Sequence, residues 1–397
     1  MRHASFTFMF ADSDSLPGAT TIGLLRSMWR IGIGAVAGFL VASCGSHSKS
    51  ITVDREVFIP DVVPRVNAIA RTGDGGFVVF GTGRTAWVVS TDSHGTLLWK
   101  FIDPIDSRID TGSQSAPQSE FHGALSLANG NTLMCGGRNK NGHTDNLLVI
   151  LDRNGGLVEK RVEVPNDDAR FIYSNFYECF RWQDGILLLG NANDGTHGYI
   201  WFVELDGKGV KKRQVLVGNV PAAKAGTVVG PGFVFTAWDS NDNFRVIRAN
   251  EKGETIAKRV IAGEFILQLR SMVESSQTSV IVYRGGDATL YTLDERLQDA
   301  RPPRAIANFD ALAGCGYVLA DSSIALFGRR PNAAVAWISR QDKTHTMRPL
   351  DSKYVSLTVS DAVPISADQF VTVQGSVSKD PKDQGLVMSW VTIHGSK

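Results

Sequence analysis

Cysteine is scarce in this chain. Four occur in 397 residues, Cys44, Cys135, Cys179 and Cys315, and none is close enough to another to make a CxxC pair. That excludes a zinc ribbon and a thioredoxin-like motif. No apolar run reaches the ~20 residues that a membrane helix needs. Neither sign of charge dominates, with 41 Lys+Arg against 40 Asp+Glu, so the concentrated basic surface of a nucleic-acid partner is missing. There is no GxSxG, no HExxH and no phosphate-cradling glycine loop, and so no catalytic residue to name. The stretch Asp239-Ser-Asn-Asp-Asn243 only grazes a calcium-loop pattern, lacking its glycine and terminal glutamate. Neither a metal nor another cofactor is expected.

Glycine, by contrast, is plentiful: 40 of the residues, about a tenth where ~7% is usual. Together with many β-branched and aromatic residues, it suggests many short strands joined by tight turns. The hydrophobic fraction of 43% is that of an ordinary globular protein.

Near the start, Met28-Trp-Arg30 precedes an uncharged, mostly apolar run from Ile31 to Ser43. Its length is that of a signal-peptide core, short of a membrane span. The run ends in Val41-Ala42-Ser43-Cys44, which resembles the bacterial lipobox, an apolar residue and two small ones before a cysteine. That resemblance implies that Cys44 is acylated and becomes the mature N-terminus, with Gly45 in place of the aspartate that marks inner-membrane retention. It therefore implies an anchor on the periplasmic face of the outer membrane. Asp12 and Asp14 put acidic charge where a signal peptide should be basic, so Met28 is read as the start of translation. Residues 1–44 are the signal region, 45–50 a flexible polar tether and 51–397 one folded domain. Of the three remaining cysteines at most one disulfide can form, and buried free thiols are the plainer reading.

The folded domain repeats. Gly76-Phe-Val-Val-Phe-Gly81, Ala86 to Gly95 and Thr96 to Ile102 recur as Asn131 to Gly137, Asn146 to Gly155 and Gly156 to Val162. They recur again as Ile186 to Gly190, Tyr199 to Gly209 and Val210 to Val215, with weaker copies beyond. The turn before each second strand falls near Gly75, Gly130, Gly185, Pro231, Ser276, Ser322 and Asp368. Spacings of about 45 to 55 residues suit the four-stranded blades of a seven-bladed β-propeller, an all-β fold. Inner strands such as 147–151 and 200–203 are continuously apolar, as strands covered on both sides should be. Outer strands carry Lys160-Arg161, Lys211-Lys212-Arg213 and Lys258-Arg259, charge that deters edge pairing. The last blade supplies only three strands, whereas Ile51–Pro60 belongs to no blade and its sequence resembles the outer strand at 159–165. Pairing that segment beside the last blade would close the ring. Residues 51–397 thus resemble bacterial propellers of the pyrroloquinoline-quinone-like and WD-like repeat type, a likeness that implies fold and not function. Only Trp99 holds the position of the recurrent blade tryptophans of the quinone enzymes, so no quinone is expected.

In such a ring the connections between second and third strands and those between blades emerge on one face. Polar residues gather there on blades one to three: Asp103, Asp106, Arg108 and Asp110 between blades one and two; Asn139, His143 and Asp145 within blade two; Asp167, Asp168 and Arg170 between blades two and three; Asp194 and His197 within blade three. Long polar loops on a rigid scaffold are where binding tends to reside. His122 and Glu178 fall on innermost strands and should face the central channel, as parts of a hydrogen-bonded wall or, for either of them, in a catalytic role. The sequence therefore points to a monomeric, lipid-anchored, non-enzymatic scaffold that binds another protein, in layout resembling the propeller lipoprotein of the outer-membrane barrel-assembly machinery. An immunity protein against a secreted toxin is a special case. The alternative is a hydrolase, lactonase or lyase with its site at the channel mouth.

Overall fold

A computed structural model of the chain describes residues 50–62, 65–105, 117–140, 143–163, 165, 171–218, 222–229, 232–239, 243–272, 276–284, 287–306, 313–330, 332–338, 345–349, 356–376 and 384–394. The expected signal region, with Cys44, lies outside the described residues. The described residues fold into seven antiparallel blades of four strands. Blade one is Val66–Arg71, Phe77–Thr82, Ala86–Thr91 and Leu97–Ile102, from the axis outward. Blade two begins at Ser119, blade three at Tyr173, blade four at Ala222, blade five at Phe265, blade six at Ala313 and blade seven at Ser356.

Six of the turns read from the repeat stand where a second strand begins, from Phe77 in blade one to Gln369 in blade seven, and Pro231 lies outside the described residues. Gly75 and Gly130 turn with φ of 89° and 81°, in the left-handed region that glycine enters without strain. A second repeated device closes the outer hairpins. The Oδ1 atoms of Asp92, Asp152, Asp206, Asn250 and Asp294 each accept from the backbone N–H groups two and four residues on. Each such turn takes a positive φ three residues after its Asp or Asn. Glycine holds that place in blades one to four, and a Cβ on Gly155 would come within 2.7 Å of the Trp99 ring of the preceding blade.

Apolar side chains gather into seven clusters among the described residues, one for each interface between neighbouring blades. The cluster of Ile59, Val66, Phe77, Trp87, Val371 and Leu386 joins blade seven to blade one and so completes the ring. Closure works as the sequence implied. Ser50–Pro60 pairs antiparallel with Gly385–His394 from Ser50↔His394 to Pro60↔Gly385, giving blade seven its fourth strand. Arg55 then lies over the Trp390 ring at 4.9 Å and donates to the His94 carbonyl of blade one.

Candidate binding face and channel

Six of the loop residues, Asp106, Arg108, Asp110, Asp167, Asp168 and Arg170, lie outside the described residues. The other six are described, and they play different parts. Asp103 is buried, accepting from the Ser119 hydroxyl at 2.6 Å and pairing with Lys160. Its carboxylate ties the outer strands of blades one and two together beneath the face. Asn139 donates to the Pro117 carbonyl at 2.7 Å and accepts from the Thr144 hydroxyl at 2.6 Å. Blade two carries no long loop here, contrary to the sequence reading. Its second and third strands run on as a polar arm, pairing Arg138 with Asp145 and Lys140 with His143. Residues 141 and 142 between them lie outside the described residues. The arm reaches blade three through the parallel pair Tyr173↔Thr144.

Asp194 and His197 are brought together, 3.8 Å apart. Asp194 Oδ1 accepts from the backbone N–H groups of Thr196 at 2.9 Å and His197 at 2.7 Å, while Oδ2 accepts from the Tyr199 hydroxyl at 3.1 Å. These N–H groups hold its carboxyl down at about 2. Asp194 thereby shapes the loop, leaving the His197 ring more than half exposed.

The axis holds the chemistry that the loops do not. The innermost strand of each blade is bulged or broken at the same place: at Asn67, His122, Tyr177, Lys224, Leu269, Gly314 and Ser360. Immediately after it come Ala68, Gly123, Glu178, Ala225, Arg270, Cys315 and Asp361. Four of these seven are small, and three are charged, on blades three, five and seven. A bulge re-aims a side chain and interrupts the ladder, and here the three long charged groups reach one another across the space that the small residues leave. Arg270 lies 3.4 Å from Glu178 Oε1 and 3.4 Å from Asp361 Oδ1, and donates to the Tyr317 hydroxyl at 3.1 Å. Glu178 also accepts from the Gly226 N–H at 2.9 Å, Asp361 from the Ile69 N–H at 3.2 Å, and Tyr317 donates to the Ala362 carbonyl at 2.6 Å. Every blade but the second is joined in this one network. Burial pushes the Glu178 carboxyl up, offset only in part by the charge of Arg270 and the Gly226 N–H.

Above this layer, His122 Nε2 lies 3.2 Å from Glu120 Oε1 and 3.1 Å from Asn175 Nδ2, and its ring packs 5.5 Å from that of Tyr177. The Tyr177 and Tyr173 hydroxyls are 2.8 Å apart. Burial disfavours the Glu120 carboxylate, but the His122 hydrogen bond, the His122 and Arg65 charges and Asn175 outweigh it and hold its pKa below the ordinary value. A cavity of about 270 Å³ opens here, lined by His122, Tyr177, Glu178, Arg270, Cys315 and Asp361 among others. His122 and Glu178 thus face the channel as read from the sequence. Arg270 and Asp361 hold the same position in their repeats as Glu178, two and four blades further on, and only that equivalence marks them in the sequence. Among the described residues no group of three His, Cys, Asp or Glu is placed to hold a metal ion.

No protein-family model matches the sequence, and no curated protein matches it either. Solved structures do. The Dos1 propeller superposes with a TM-score of 0.51 at 10% identity, covering 84% of this chain and 78% of that one. The WD40 repeats of RRP9 superpose with a TM-score of 0.52 at 13% identity, covering 87% and 97%. The likeness is one of fold. It agrees with a β-propeller and says nothing of ligand or partner.

Proposed function

We propose that the chain is a non-enzymatic, lipid-anchored binding protein of the bacterial cell envelope, held through Cys44 to the periplasmic face of the outer membrane. A monomer, it takes a protein partner on the loop face of blades one to three; an immunity or inhibitor protein for a secreted toxin is a special case. The observation that carries the reading is the polar arm of blade two beside the Asp194–His197 loop of blade three. Both are held by their own hydrogen bonds and present His143 and His197 exposed on one face. A pre-ordered polar surface binds without the entropic cost of ordering a loop. The lipobox resemblance supports the anchor.

Two measurements test this. A clickable fatty acid should label the wild type and not Cys44→Ala; equal labelling of both would remove the anchor. Crosslinking in intact envelopes should capture a partner that is lost when 107–116 are replaced by a short glycine turn. Pro117, Gln118 and Ser119 stay, because they support Asn139 and blade one. Lys208→Ala and Lys252→Ala, exposed on the opposite face, should leave capture unchanged. The reverse pattern would move the interface. Turnover of an ester or lactone, lost in His122→Ala, would instead place the function at the channel mouth.

A further inference from the structure

Cys135 and Cys179 meet across the interface between blades two and three. Cys135 lies on Thr132–Lys140, the second strand of blade two, and is fully buried; Cys179 lies on Tyr173–Trp182, the innermost strand of blade three, and is partly exposed. Burial and the neighbouring Cys179 thiol both push the Cys135 thiol up. Gly123 makes the approach possible. A Cβ at that position would lie 2.7 Å from the Cys135 sulfur and 3.1 Å from the Cys179 sulfur, so both sulfurs share the space that one side chain would take. Neither backbone is free to drift, since Cys135 is registered between Gly123 and Leu148 and Cys179 against Leu188. The third described thiol, Cys315, belongs to blade six and lies against Asp361.

We propose that Cys135 and Cys179 are a redox pair that a small-molecule disulfide converts to a covalent link between blades two and three. The partly exposed Cys179 reacts first. Its thiolate attacks one sulfur of the oxidant, breaking that S–S bond, releasing one thiol and leaving a mixed disulfide on Cys179. The Cys135 sulfur, losing its proton to solvent, then displaces the second thiol and forms the protein disulfide. Two protein thiols are oxidised and one external disulfide is reduced to two thiols. Burial pushes the Cys135 thiol up, so it is a poor first nucleophile, and it becomes effective only once Cys179 presents an adjacent disulfide. The link restrains the two blades that carry the hairpin arm and the Asp194 loop. The proposal is independent of what those loops bind.

Oxidised glutathione serves as the probe on the purified full chain, followed by alkylation in denaturant and peptide mapping. The expected result is a Cys135–Cys179 cross-linked peptide, with Cys315 alkylated, and a melting temperature ~5 °C above that of the reduced protein. Cys135→Ser, or Cys135→Ala if the serine is not tolerated, should halt at a glutathione adduct on Cys179 and show no rise in melting temperature. Alkylation of both Cys135 and Cys179 after oxidation of the wild type would overturn the proposal. So would a cross-link to Cys315, or a wild type that stops at the mixed disulfide.

Discussion

Asp194 is the clearest case of a side chain that acts through its neighbours. Its carboxylate gathers two backbone N–H groups and the Tyr199 hydroxyl, so it fixes the loop and leaves His197 to face outward. Asp194→Ala should therefore deprotect the amides of Thr196 and His197 in hydrogen exchange, whereas Asp194→Asn, which keeps an acceptor oxygen, should restore much of that protection. If both variants exchange like the wild type, the loop is held by something else. The pH dependence has a definite sign. A carboxyl lowered from 3.8 to about 2 by folding contributes stability that is full above the unfolded value and lost as the pH falls toward 2. The melting-temperature difference between wild type and Asp194→Ala should accordingly be present at neutral pH and shrink below pH ~4.

At the scale of the strand, what was legible in the sequence was periodic, and what was not depended on register. Turn signals recur every 45 to 55 residues, and a second strand follows each. The outer basic residues recur too, and they lie on outer strands. Blade five was fainter in part because Leu297, with φ of 58° and its side chain buried, takes the turn position that glycine holds in blades one to four. The channel network was hidden for a different reason. Glu178, Arg270 and Asp361 are far apart in the chain, and they meet only because every innermost strand is bulged or broken one residue earlier, a feature of pairing that no composition reveals. The closing strand was legible because a blade was one strand short. It also makes a sharp prediction. Deleting 51–60 leaves Gly385–His394 as an open edge with unpaired backbone groups, so the variant should aggregate or melt far below the wild type. A synthetic 50–60 peptide added in trans should pair with that edge and recover solubility. A deletion variant that melts like the wild type would show that the ring does not need this strand.

The whole ring is held in two places, by apolar clusters between blades and by charge at the axis. The axial network contains one guanidinium against two carboxylates, Asp361 buried and Glu178 partly buried, and each partner also has fixed backbone or hydroxyl contacts. Such a network is not simply a stabiliser, since burying charge costs much of what pairing returns; the damage comes when one partner is removed. Arg270→Met leaves Glu178 and Asp361 facing each other across the channel with no cation between them. Because 41% of the Arg270 side chain is exposed to the channel, solvent screens part of the effect, and the expected loss is about 2 kcal/mol rather than the larger values of a sealed pair. Adding Glu178→Gln to Arg270→Met should recover part of that loss, because it removes one of the stranded charges. Strict additivity in this double-mutant cycle would mean that the groups do not interact. The pH response should run opposite to that of Asp194. Glu178 is already raised by burial, and removing Arg270 removes the charge that most restrains the rise. A carboxyl raised in the folded state binds its proton more tightly there than in the unfolded chain, so stability grows as the pH falls through the folded value and levels off below the unfolded one. Arg270→Met should therefore close part of its gap to the wild type between neutral and mildly acidic pH, as read by urea unfolding. A gap that widens on acidification would show that the carboxylates were not left stranded, and that Arg270 acts by packing alone.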